Sequence, residues 1–207
     1  IVRRTILGEK LLITADEVGT PADSKRVFYF DLPLASAKPD AKPDRSQLDI
    51  LLRGGTVIDG TGKPPRRADV GLRDGRIVAV GNLAMASAYE VIDVTGKVVC
   101  PGFIDLHSHA DRGIFKHRAA ENYIRQGATT LVCGNCGSSP TDLKTFFERV
   151  REAGIGPNIA LLVGHGSIRE QVMGRVNRPP TSTQLDEMKR LVRMAMHDGA
   201  IGLSTSL

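Results

Sequence analysis

A chain of 207 residues, 41% of them apolar, is long enough for one large domain or two small ones and can bury a proper core. Its 28 Lys and Arg stand against 23 Asp and Glu with no block of five or six like charges, and aromatic residues are scarce, which speaks against a nucleic-acid partner. Three cysteines imply no disulfide framework, so a reducing, cytoplasmic setting is the expectation; no apolar run approaches the ~20 residues that cross a bilayer, so no membrane partner is expected.

Residues 1–47 are expected to form an N-terminal extension and linker. IVRRTILGEKLLITA opens with two arginines before a short apolar patch, but Glu9 and Lys10 interrupt it, making it a poor signal peptide. KRVFYFDL (25–32) reads as a strand, and AKPDAKPDRSQ (37–47), rich in Pro, Asp and Lys, as an exposed linker. The chain starts at Ile1 rather than Met and stops in an apolar strand at Leu207, so both ends are expected to be cut from a longer protein.

LDILLRGGTVIDG (48–60) predicts a strand, a turn at Gly54-Gly55 and a second strand. ADVGLRDGRIVAVG (68–81) predicts a hairpin about Asp74-Gly75, and EVIDV (90–94) with Thr95-Gly96-Lys97 leads into the next strand. Short strands without helices make 48–97 part of a small β-sandwich domain. VVCPGFIDLHSH (98–109) then reads as one buried strand ending in two histidines.

Beyond it the pattern changes. Helices are predicted at 117–127, ended by Gly127, at 141–154, with Thr141 as N-cap and Gly154 past its end, and at 181–199, where methionines at helical spacing read as core filler. Strands are predicted at 128–134, 158–164 and 200–206. Near-continuous apolar strands alternating with helices mean α/β with a parallel sheet, either half of an eight-stranded barrel or an open doubly wound sheet. In both, sites lie at the C-terminal ends of the strands.

Side chains alternate along a strand, so His107 and His109 share a face and make a half-site for a divalent metal. Strand two ends in Gly-Asn-Cys-Gly, where Gly134 and Gly137 permit a path that aims the Cys136 thiolate inward as a third ligand. Asp105 is a candidate to brace one of the histidines from behind. Strand three ends in GHGSIR: Arg169 is a candidate substrate contact, and His165 either binds substrate or hydrogen-bonds to a loop backbone. Cys100 and Cys133 read as core, His117 and His197 as surface. The glycines fit neither a phosphate loop, a nucleophile elbow nor a dinucleotide fingerprint.

GGTVIDGTG, RDGRIVAVG, PGFIDLHSHAD, QGATTLVCGNCG, VGHGSIR and DGAIGLSTSL, in this order, resemble the amidohydrolase superfamily, and within it the N-acyl-D-amino-acid deacylase (D-aminoacylase) group. The similarity runs from about Leu48 to Leu207. It implies a partial (β/α)8 TIM barrel, its first four βα units within 98–207, preceded by part of a small β-sandwich. It implies zinc, with a tight position that Cys136 helps to hold and a second, weaker one bordered by His107 and His109. Two further histidines and the general-base aspartate are expected beyond Leu207, so no catalytic residue is assigned within this chain.

The implied reaction is hydrolysis of a linear N-acyl amide, a small-molecule substrate, to a carboxylate and a free D-amino acid. The 207-residue chain by itself is expected to be inactive. A cyclic-amide hydrolase of the hydantoinase or dihydroorotase type is the alternative, but it resembles enzymes with a metal-bridging carboxylated lysine on strand four, and AIGLSTS has no lysine. A non-catalytic homologue with an empty metal site is the alternative outside enzymes.

Overall fold

The structure, a computed structural model, describes residues 47–206 in full and, before them, the backbone of three strands alone: β1 (Val2–Leu7), β2 (Lys10–Asp16) and β3 (Lys25–Phe30). The strand expected from Lys25 is therefore present, whereas the linker expected at 37–47 falls almost wholly outside the described residues. Among the described residues no helix is long and apolar enough to cross a membrane. The chain divides into two compact units, Ile1–Gly102 with Arg125–Gly127, and Phe103–Ile124 with Ala128–Leu207.

In the first unit β4 (Leu48–Val57) pairs antiparallel with β5 (Arg66–Arg73), and β5 with β6 (Arg76–Gly81). β7 (Ala88–Asp93) and β8 (Lys97–Val99) run parallel to β4, and β8 also pairs with β3. The β5–β6 hairpin turns as expected on Asp74 and Gly75, both at positive φ, the conformation that matches the twist of the flanking strands. No turn splits β4, contrary to the sequence reading. Its register against β5 shifts between Leu52 and Gly55, a bulge with Gly54 at φ +78°. Asp69 explains why: its carboxylate accepts the Leu83 and Gly54 N–H groups at 2.9 and 2.8 Å, which holds its pKa below the usual carboxylate range. Ile50, Leu52, Val57, Val70, Leu72, Val94 and Val99 form the unit's core.

The strand predicted over 98–109 is two strands. β8 closes the first sheet, Cys100-Pro101-Gly102 intervenes, and β9 (Phe103–Asp105) opens the second. Proline has no N–H to give to a ladder, so the break falls there.

In the second unit β9, β10 (Ala128–Cys133), β11 (Asn158–Gly164) and β12 (Gly202–Ser204) make a parallel sheet in the order β12-β11-β10-β9. Its helices are α1 (Glu121–Ile124), α2 (Leu143–Ala153), α3 (His165–Met173) and α4 (Ser182–His197). The architecture is thus mixed α/β. Leu131, Cys133, Leu161 and Val163 of the strands pack with Leu143, Phe146, Ile168 and Met188 of the helices in one buried cluster.

Three local expectations are corrected. The helix read at 117–127 shrinks to four residues because Ala120 sits at φ +45°, outside helical space. The N-cap of α2 is Asp142, whose carboxylate accepts the Thr145 N–H at 3.0 Å, rather than Thr141. Met188 is buried as expected, but Met194 and Met196 are 47% and 45% exposed and do not fill the core. The strongest start signal belongs to α4: Thr181 and Gln184 form a reciprocal capping box. Thr181→Ala is expected to cost about 1 kcal/mol, read as a lower unfolding midpoint with unchanged metal content.

Candidate metal centre

The second sheet sets up the site at the C-terminal ends of β9 and β10. After Asp105 the chain leaves the strand in a bend, and the Asp105 carboxylate accepts the His107 N–H at 3.0 Å. Ser108 is buried: its N–H donates to the Val132 carbonyl at 3.0 Å, its hydroxyl to the Tyr123 hydroxyl at 3.0 Å. With Ser108 pinned inward, His107 and His109 on either side turn outward together, their ring centroids 5.5 Å apart and edge-on. The two rings lie side by side although the strand that was to impose a shared face has already ended. Asp105 acts on His107 through its backbone rather than through its ring.

β10 ends at Cys133 and runs into a turn of unusual backbone: Gly134, Cys136 and Gly137 have φ of +75°, +55° and +69°. For a cysteine the left-handed region costs roughly 1–2 kcal/mol, and such strain persists only where the surroundings over-determine it. Asn135, buried between the glycine and the cysteine, donates from Nδ2 to the Val132 carbonyl at 2.8 Å and to the Ser108 carbonyl at 3.1 Å. That one amide ties the histidine bend to the cysteine turn. The sequence reading did not single it out; a polar residue between a buried strand and a positive-φ turn was the available signal.

The result is that the Cys136 Sγ lies 3.3 Å from His107 Nε2, and ligand-capable atoms of His107, His109 and Cys136 all lie within 4.8 Å of one another. Ligand bonds of about 2.0–2.3 Å put neighbouring tetrahedral donors about 3.5 Å apart, and one thiolate with two imidazoles is a donor set that zinc favours. His109 Nδ1 and Asp111 Oδ1 are buried with no hydrogen-bond partner among the described residues. A polar nitrogen taken out of water without a partner is costly, and a cation offers one. The donor set, the spacing and the orphaned imidazole nitrogen fit a divalent metal.

The other candidates sort by position. Cys133 is fully buried, and burial pushes its thiol pKa up, so it stays a neutral core residue. Cys100 is only half-buried. His197 is on the surface beside Asp198, and His117 is exposed along a cavity of about 180 Å³ that His109 and Tyr123 also line. His165 is exposed and is the first residue of α3, a helix that the sequence pattern does not predict. The first turn of that helix packs on the cysteine turn, with the Ser167 N–H donating to the Gly137 carbonyl at 3.1 Å. Arg169 turns to its own loop: its guanidinium donates to the carbonyls of Val176 and Arg178 at 3.0 and 2.6 Å.

Known proteins resemble this chain in sequence and fold. A model of the amidohydrolase family matches residues 90–207. The chain is 39% identical over 188 residues to a D-aminoacylase of Alcaligenes xylosoxydans xylosoxydans, with 80% of this chain and 39% of that protein covered. The crystal structure of a D-aminoacylase superposes with a TM-score of 0.72 at 44% identity, covering 76% of this chain and 38% of that one. An N-acyl-D-glutamate deacylase from Bordetella bronchiseptica, solved with zinc and a phosphonate inhibitor, superposes with a TM-score of 0.73 at 36% identity, covering 78% of this chain and 39% of that one. The chain thus spans about two fifths of the length of these relatives.

Proposed function

The chain belongs to the amidohydrolase family, and from that premise we propose that its protein is a zinc-dependent hydrolase that cleaves an N-acyl-D-amino acid at its linear amide bond, releasing a carboxylate and the free D-amino acid. The convergence of Cys136 with His107 and His109 carries this reading. The D-aminoacylase and the zinc-bound N-acyl-D-glutamate deacylase supply the substrate class.

In this reading the parallel sheet β9–β12 is the first half of a (β/α)8 barrel, and the first unit is part of a β-sandwich. Cys136, His107 and His109 hold the metal. When bound, zinc supplies Lewis-acid activation of water and of the amide carbonyl. The chain's own residues prepare that chemistry. Asp105 fixes the backbone of His107, Ser108 turns both imidazoles to one side, and Asn135 sets the distance from the imidazoles to the thiol. His165, at the rim, contacts the substrate. Arg169 serves it indirectly, by holding the loop that follows α3.

The full-length protein, freed of metal and reloaded with zinc, is expected to release D-amino acids from N-acyl-D-amino acids, and a chelator to abolish the release. Zinc-loaded protein that leaves linear N-acyl-D-amino acids intact while opening cyclic amides would overturn the assignment.

A further inference from the structure

The cysteine turn is held from an unexpected direction. β12 is not a neighbour of β10; β11 lies between them. Yet the Ser204 hydroxyl, on the last residue of β12, donates to the Gly134 carbonyl and accepts the Gly137 N–H at 3.1 Å. One hydroxyl, as donor and acceptor at once, therefore spans both ends of the four-residue turn that carries Cys136.

It can reach because β11 ends bare. Gly164 pairs with Ser204 in the parallel ladder, and a Cβ on Gly164 would stand 2.5 Å from the Gly137 carbonyl carbon. A Cβ on Gly166 would stand 2.8 Å from the Gly137 carbonyl oxygen. With hydrogen in those places, the cysteine turn folds across the end of β11 and meets β12. Ser139 fastens the far side, its hydroxyl accepting the Gly164 N–H at 2.8 Å and its N–H donating to the Ser167 hydroxyl at 3.0 Å. A strained φ at Cys136 demands restraint of this kind.

We infer that Ser204 is a positioning residue for the Cys136 thiolate: β12 contributes to the metal centre through a hydrogen-bonded clasp rather than a ligand of its own. The inference rests on the metal role proposed above for Cys136. Without the clasp the turn gains the freedom to relax its positive φ, and the sulfur swings from the imidazoles. Nothing else about β12 need change, because Ser204 is its last residue and is only half-buried.

Cobalt(II) tests it, since thiolate ligation gives cobalt(II) a sulfur-to-metal charge-transfer absorption that a general loss of stability does not selectively weaken. Ser204→Ala and Ser204→Thr are prepared in the full-length protein and the metal-free forms titrated with cobalt(II). Ser204→Ala is expected to lose about 10-fold or more in cobalt affinity, as loss of a partner that orients a ligand does, and to show a weaker band per bound ion. Ser204→Thr, which keeps the hydroxyl, is expected to restore both. Ser204→Ala with the wild-type band and affinity would overturn the inference while leaving Cys136 a ligand. Equal impairment of the Ala and Thr forms, matched by equal drops in the unfolding midpoint of the metal-free protein, would overturn it too, by making Ser204 a packing residue. A wild-type protein without the band would remove the metal reading itself and the inference with it.

Discussion

Cys136→Gly in the full-length protein is expected to separate stability from function: the metal-free protein unfolds at a higher midpoint, and the metal is lost. Cys136 sits at φ +55° and is exposed, so replacing it removes little packing. Glycine takes that conformation without penalty, which relieves roughly 1 kcal/mol of strain. Cys136→Ala keeps the strain and should leave the midpoint where it was. Both variants remove the one anionic donor from a set of two imidazoles and a thiolate. Metal affinity should then fall by more than the about 10–100-fold that follows loss of a residue merely orienting a ligand. With the metal gone, the activation of water and carbonyl goes with it, and kcat/KM is expected to drop by at least the roughly 10²–10³-fold that a single oxyanion donor is worth. Metal analysis, thermal unfolding of the metal-free forms and deacylase assays read the three quantities separately. Unchanged metal content in Cys136→Ala would refute the ligand role, and a lower midpoint in Cys136→Gly would mean that the sulfur's packing outweighs the strain.

That pairing of strain with chemistry marks where the sequence was legible and where it was not. The spacing of His107 and His109 and the glycines around Cys136 were visible in the chain, because a rim of strand ends in a parallel sheet has few places to put chemistry. The contiguous apolar runs 128–134 and 158–164 gave β10 and β11 nearly to the residue. Errors arose wherever one residue outvoted a pattern. Ala120, at φ +45°, barred the first residues of a helix whose composition promised three turns, and α1 begins only at Glu121. Pro101 divided what reads as one strand from Val98 to His109. Gly54 made a bulge instead of a turn because Asp69, fifteen residues away, was there to receive its N–H. α3 escaped notice because its first turn, His165-Gly166-Ser167, has no helix-favouring residue; packing against the cysteine turn holds it instead. Asn135 and Ser204 could be read as letters but not as clasps, since each acts on a partner that only the fold brings near.

Gly134→Ala is expected to be the most damaging single methyl in the second unit. The position has φ +75°, where any side chain costs roughly 1–2 kcal/mol. Here the added carbon would also run into the carbonyl oxygen of Leu162, on the neighbouring strand β11. A side chain could rotate away from such a contact; a backbone carbonyl in a parallel ladder cannot, so either β10 parts from β11 or the turn swings outward. Both routes carry Cys136 from His107 and give up the Ser204 and Asn135 hydrogen bonds, so metal affinity falls together with stability. The expected loss is at least about 3 kcal/mol, in the range of the more severe point mutations. Gly154→Ala supplies the comparison. Gly154 ends α2 at φ +62° with open space where a Cβ would go, so it should show the backbone penalty of about 1 kcal/mol alone and keep its metal. Unfolding midpoints and metal content of the two variants, measured side by side, give the crowding at Gly134 by difference. Equal losses at the two positions would mean that the Leu162 carbonyl yields, and that close approach of β10 to β11 is not what holds the thiol's turn in place.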